Sequence, residues 1–259
     1  MSAPKLVLPT EVTAPSKHWI NQRFLMPGQA GIGKSTFWSN DPNALFLDTE
    51  GNLTHLAVKK VAIRCWEDLQ EVAALLYAEK AKNQLFPYST LVIDTGDRML
   101  SCCEEYVIGL AKEKFKAVAD RINVLGDVPE GVGWANTTKL MMNALTKLDE
   151  LPCALAIITH VKQTKVEEPT QKYDKETISL WGNVGVNLMG FVKHTMHLQA
   201  YYVGDALKRV VRTLPSKGIE AKSHGGLVPD RIEWKSADLK AEWLAFRALF
   251  DGEPGGTQG

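Results

Sequence analysis

One stretch limits what this chain folds into more than any other: Gly28-Gln29-Ala30-Gly31-Ile32-Gly33-Lys34-Ser35-Thr36. It fills every required position of the pattern G-x-x-x-x-G-K-[ST]. That pattern binds phosphate when a strand precedes it and a helix follows. Arg23-Phe24-Leu25-Met26 is apolar enough for a short buried strand, and the residues after the loop open a helix. Glycines let main-chain N–H groups turn inward as an anion nest. The helix start adds partial positive charge. In this reading Lys34 reaches the β- and γ-phosphates and the Ser35 hydroxyl holds Mg²⁺. The alternative is a glycine-rich turn with an incidental lysine, which leaves the flanking strand and helix signals unexplained.

The rest of the composition fits such a core. A length of 259 residues suits one large domain, and 45% hydrophobic residues supply its interior. The formal net charge is +0, so any nucleic-acid contact must rest on local basic surface. We find no apolar run that spans a bilayer and no signal-peptide pattern, which predicts a cytoplasmic protein without a membrane partner. Cys65, Cys102, Cys103 and Cys153 show neither C-x-x-C pairing nor zinc spacing, as expected of reduced thiols.

Residues 1–17, with Pro4, Pro9 and Pro15, read as a flexible arm, and residues 251–259 as a disordered tail. Between them, over 18–250, apolar runs alternate with amphipathic stretches. That alternation predicts one α/β domain with a mainly parallel central sheet flanked by helices. Strands are expected at 23–26, 44–48, 61–64, 90–94 and 153–159, with helices at 67–80 and 137–151. Segments 191–203, 207–214 and 228–234 read as antiparallel strands extending the core, and Ser236 as the cap of a last helix reaching about Phe250.

Several residues carry chemistry in this frame. Asp94 ends the apolar run Leu91-Val92-Ile93 and is the natural Mg²⁺ partner of Ser35. Asp97 is a secondary metal candidate. Hydrolysis needs a carboxylate to position water, and Thr95 stands where some ATPases place a glutamate. Glu50, in Leu47-Asp48-Thr49-Glu50-Gly51, lies at the strand edge where ligands collect and is the better candidate; a solvated turn is the alternative. Asp48 would brace that loop. His160 follows Ile157-Ile158-Thr159 and is placed to sense a γ-phosphate, or is a satisfied polar residue. Val161 to Leu180, with Lys162, Lys165, Lys172 and Lys175 among acidic residues, reads as a mobile polar loop beside it. The basic stretch from Arg209 to Gly218, with Lys222 beyond it, is placed to reach a neighbouring subunit's nucleotide, or is an ordinary basic hairpin. Thr146-Lys147-Leu148-Asp149 mimics a guanine-reading pattern but falls inside a helical one. His194 and His197 lack a third metal ligand and would face opposite sides of a strand.

The ordered set Gly28–Thr36, Leu47–Gly51, Leu91–Asp94 and Ile157–His160 resembles the RecA-like P-loop ATPases, most closely the compact phage-encoded Sak-type recombinases, also called phage nucleotide-binding proteins. The resemblance covers roughly residues 20–235. It implies an ATP-binding, ATP-hydrolysing Walker A protein with Mg²⁺, acting on single-stranded DNA in phage recombination or annealing in the host cytoplasm. It assigns Glu50 as the catalytic glutamate, Asp94 to the metal and His160 to coupling. Parts of 101–135 and 161–180 become DNA loops, and Lys217 and Lys222 act across a subunit interface. It also implies a homo-oligomeric filament or ring, a single-strand annealing or single-strand-binding protein partner, and a phosphate-loop strand flanked by the strands ending at Asp94 and Thr159. The chain departs from the family in having no separate DNA-binding domain and no richly basic loops. The rival reading is a nucleotide-gated accessory or loader module with little turnover of its own. A small-molecule phosphotransferase is a weaker third reading, since only Arg98 and Arg121 lie between Asp94 and His160.

Overall fold

The central strands are near-continuous apolar runs, so side chains pointing to either side are buried and the sheet is covered on both faces. The computed structural model describes residues 16–82, 85–168, 171–235 and 238–250, with Leu8, Thr10 and Val12 as isolated positions. Most of the expected arm, and the whole expected tail, lie outside the described residues, as does Ser236.

The chain runs β1 (Arg23–Pro27), α1 (Lys34–Trp38), β2 (Ala44–Asp48), β3 (Lys59–Ala62), α2 (Trp66–Ala81), β4 (Thr90–Asp94), α3 (Gly96–Lys114), α4 (Gly133–Asp149) and β5 (Ala154–Thr159). It continues with β6 (Val161–Glu168), β7 (Gln171–Ile178), α5 (Gly182–Phe191), β8 (His194–Thr195), β9 (His197–Val203), β10 (Ala206–Arg212), β11 (Lys222–Ser223), β12 (Arg231–Trp234) and α6 (Leu239–Arg247). The central sheet has the order β11-β8-β1-β5-β4-β2-β3. All its pairings are parallel except β11 with β8. β9, β10 and β12 form a separate antiparallel sheet, and β6 pairs with β7 alone. The expected α/β class, with a mostly parallel sheet and antiparallel C-terminal strands, is the observed one.

Leu25, Leu47, Ile93, Leu155 and Ile157 face α2, α3, α4 and α5, where Leu69, Leu100, Leu145 and Leu188 meet them. Phe24, Met26, Phe46, Val92 and Ile158 face the other way, onto α1, α6 and the C-terminal strands. With five residues α1 is too short to hold itself together in water. Its stability comes from Phe37 and Trp38. Phe37 stacks on Trp234 at 5.1 Å, and Trp38 is fully buried against Trp243. Truncating Trp38 to Ala would cost about 3–5 kcal/mol and release the helix that follows the phosphate loop.

Several expectations differ from the structure. β1 is flanked by β5 and β8; β4, ending at Asp94, lies one strand further out, because β5 pairs with both β1 and β4. Residues 161–180 are not an irregular loop. Val161–Glu168 and Gln171–Ile178 pair as an antiparallel ladder that sets opposite charges side by side, Glu167 opposite Lys172 and Lys165 opposite Asp174. Of 101–135, the first part continues α3 and the last begins α4. The segment between them is a series of 3₁₀ turns closed over Ala111, Ile122 and Val128. Finally, 191–203 begins at the end of α5, an amphipathic segment whose Val184 and Leu188 are buried, and α6 is capped by the Asp238 side chain.

Candidate nucleotide site

The site lies past the carboxyl ends of β1, β2, β4 and β5, where a parallel sheet presents its loops. The phosphate loop needs glycine for two different reasons. At Gly33 the backbone is left-handed, with φ 106°. At Gly28 a Cβ would lie 2.8 Å from the Leu198 carbonyl oxygen, because β9 runs alongside. Lys34 is buried and donates to the Gly28 and Gln29 carbonyls, both at 2.7 Å. Burial lowers its pKa to about 8, against the opposing pull of Asp94, Asp97 and Glu50.

The Ser35 side chain lies beside the Asp94 carboxyl in the pocket. Burial raises the Asp94 pKa, and Ser35 and Lys34 work against that rise. Asp94 Oδ2 is buried without a hydrogen-bond partner among the described residues. Glu50 is carried past β2 by a tight turn in which Asp48 Oδ1 accepts from the Gly51 N–H at 2.7 Å. Its Oε1 accepts from Thr95 Oγ1 at 2.8 Å and its Oε2 from Asn52 at 3.1 Å. Thr49 and Thr95 tie the two strand ends together, the Thr95 N–H donating to Thr49 Oγ1 at 2.6 Å. The Asp94–Thr95 peptide is cis. His160 is fixed from behind: its main-chain N–H donates to Asp97 Oδ2 at 2.8 Å, and its ring lies 3.5 Å from the same carboxylate. Burial raises the Asp97 pKa, and His160 opposes it.

These groups enclose a pocket of about 260 Å³ lined by Ala30, Gly31, Gly33, Lys34, Ser35, Thr36, Glu50, Asp94, Thr95 and His160. A larger groove of about 840 Å³ between α2 and α4, lined by Trp66, Leu69 and Tyr77, has no comparable meeting of charges. Chemistry, not size, places the site.

A family model described as an AAA domain matches residues 20–224. The chain belongs to the AAA domain family. No curated protein matches it. Membership gives this AAA domain protein a P-loop core for nucleotide binding and hydrolysis.

The residues present fit Mg²⁺. That ion keeps several waters and takes one or two protein oxygens, often beside phosphate. Ser35 and Asp94 would supply those oxygens, and the unpartnered Asp94 Oδ2 is the acceptor left for the ion or its water. When bound, the metal would neutralise charge on the phosphates.

The AAA domain protein therefore brings Lys34, Ser35, Asp94, Glu50 and His160 to one pocket. Other sequence candidates sit elsewhere. Ile32 is buried in the core, and Gln29 turns outward to donate to Glu176 Oε1 at 3.2 Å. Lys217 is exposed on the turn that follows β10. Lys222 lies on β11, an edge strand of the central sheet, its ammonium donating to the Met189 carbonyl at 2.6 Å. Asp97 is engaged with His160. His194 bonds Gln22 and Ser223, while His197 bonds Glu176 and the Glu220 carbonyl. Among the described residues no cluster of three or more His, Cys, Asp or Glu is arranged to hold a metal. No described helix is long and apolar enough to cross a membrane.

Sequence reasoning missed the Thr49–Thr95 clasp, the Asp97–His160 contact and Glu176. The first two had a signal, polar residues at strand ends. Glu176 had none, since its role depends on how β7 folds back over the phosphate loop.

Proposed function

We propose that this AAA domain protein is a Mg²⁺-dependent, RecA-like ATPase. It acts on single-stranded DNA in phage recombination or annealing, as a homo-oligomeric filament or ring. Lys34 and the loop amides hold the phosphates, Ser35 and Asp94 hold the metal, Glu50 positions the attacking water and His160 senses the γ-phosphate. The observation that carries this reading is the meeting of a phosphate loop, an unpartnered buried carboxylate oxygen and a clasped glutamate in one pocket.

The DNA part is supported by continuity. The β6–β7 hairpin begins directly after His160 and carries Lys162, Lys165, Lys172 and Lys175. Glu176 of the same hairpin holds Gln29 of the phosphate loop. That contact would let nucleotide state influence the hairpin.

The test is ATP turnover of the purified full chain with and without single-stranded DNA, beside Lys34→Ala. Turnover that rises with DNA and vanishes in Lys34→Ala is expected. Nucleotide binding without turnover, with or without DNA, would leave the accessory or loader role in its place. DNA binding that weakens steeply with salt would add phosphate contacts to the account.

A further inference from the structure

We infer that Arg209 is a second phosphate-binding cation of this site, reaching the nucleotide in the same chain from the C-terminal sheet. Arg209 sits on β10 between Ala200 of β9 and Trp234 of β12. Its Nε lies 3.9 Å from the position a Cβ would take on Gly33, beside Trp234 at 3.8 Å and Leu239 at 3.6 Å. The guanidinium is therefore packed against the phosphate loop itself.

Its bonding is unusual for this molecule. Arg23, Arg64, Arg98 and Arg231 each pair with a carboxylate. Arg212 donates to Gln199 Oε1. Arg209 has no ion pair among the described residues, and its Nε is buried with no hydrogen-bond partner. Removing a cationic donor from water without a partner is costly, and the cost is recovered when an anion arrives. A guanidinium presents a planar fork that matches phosphate oxygens. The anion this position meets is the phosphate chain that the adjacent loop is shaped to hold.

The inference rests on the nucleotide reading of the pocket and is separable from it. Fluorescent ATP and ADP would be titrated into wild type, Arg209→Gln and Arg209→Lys, with unlabelled adenosine as competitor. Thermal unfolding without nucleotide would be followed in parallel. Arg209→Gln should bind ATP and ADP at least about tenfold more weakly, since a charged hydrogen bond is lost, and Arg209→Lys should fall between it and wild type, since a point charge replaces a fork. Adenosine competition and the nucleotide-free midpoint should not fall. If wild type binds nucleotide and a folded variant binds ATP equally well, Arg209 has no such role while the pocket keeps its own. Equal weakening toward adenosine and ATP, or a lowered midpoint with unchanged affinity, would make it a packing residue. Should Arg209→Gln not fold, Arg209→Met keeps the stem without the charge and decides alone, because unchanged affinity there overturns the role. If wild type binds neither nucleotide, the site reading itself falls.

Discussion

Thr95 Oγ1 donates to Glu50 Oε1 at 2.8 Å, joining the end of β4 to the turn after β2. The position directly after Asp94 thus supplies no carboxylate of its own. It orients one carried by the neighbouring strand. Glu50 is exposed at the pocket mouth, where water reaches it, and two side-chain donors hold it in place.

Glu50→Gln should therefore bind ATP as wild type does and hydrolyse it about 10²–10⁴-fold more slowly, the usual loss when a general base is removed. Thr95→Val should keep binding and lose roughly tenfold in turnover, because the carboxylate remains but is no longer aimed. Fluorescent-nucleotide titration and phosphate release measure the two quantities separately. Normal turnover in Glu50→Gln would take the water-positioning role away from it.

Lys34 gives the affinity a pH dependence. Burial holds its pKa near 8 in the free protein, and bound phosphate favours the charged form. Below pH 8 the ammonium is present and affinity should be flat. Above it, binding must first recover a proton, so affinity should fall by up to about tenfold per pH unit. Titrations at pH 7, 8 and 9 at constant ionic strength test this, with Lys34→Met as a weak, pH-independent control. A wild-type affinity that does not change over that range would contradict the burial argument.

Much of this was readable from residues alone because two signals are local. A phosphate loop declares itself in nine consecutive positions, and β2, β4 and β5 are continuous apolar runs that end in Asp48, Asp94 and Thr159. What escaped depended on pairing. Nothing local in sequence says that Lys165 and Asp174 are neighbours, yet β6 and β7 set them side by side. Arg209 and Lys222 share one basic region in sequence, yet the fold places Arg209 against Gly33 and ties Lys222 to Met189. The position of β5 between β1 and β4 is likewise a matter of crossover connections, which apolar periodicity does not encode.

Gln29 and Glu176 make a further connection that can be broken. Glu176 accepts from Gln29 at 3.2 Å, Gln199 at 2.9 Å and His197 at 3.0 Å. Those hydrogen bonds lower its pKa even though burial opposes them. A nucleotide that competes for the phosphate loop should change amide-exchange protection across 161–178. Glu176→Ala should reduce that response and leave ATP affinity within about threefold, since only one exposed hydrogen bond to the loop is lost. Hydrogen exchange with and without nucleotide, in both proteins, reads the coupling. An unaltered hairpin response in Glu176→Ala would mean that His160 alone carries the link.

His194 should set the acid limit of the fold. It is fully buried, stacked on Phe24 at 5.4 Å, with its ring nitrogens 3.2 Å from Ser223 and Gln22. Burial, then the nearby His224, Lys193 and Lys222 charges, lower its pKa from 6.5 to about 4. The unfolded chain takes up a proton near pH 6.5 that the folded chain refuses until about pH 4. The stability is therefore complete above pH 6.5 and is lost as pH falls toward 4. Linkage puts the loss at about 2 kcal/mol between pH 7 and pH 5 for this one group. Urea unfolding at both pH values measures it. His194→Gln keeps polar atoms in the same place without titrating, so its stability should fall by about 2 kcal/mol less than wild type over the same interval. Equal losses in the two proteins would show that the imidazole is protonated inside the folded sheet, and that Gln22 and Ser223 do not hold it neutral.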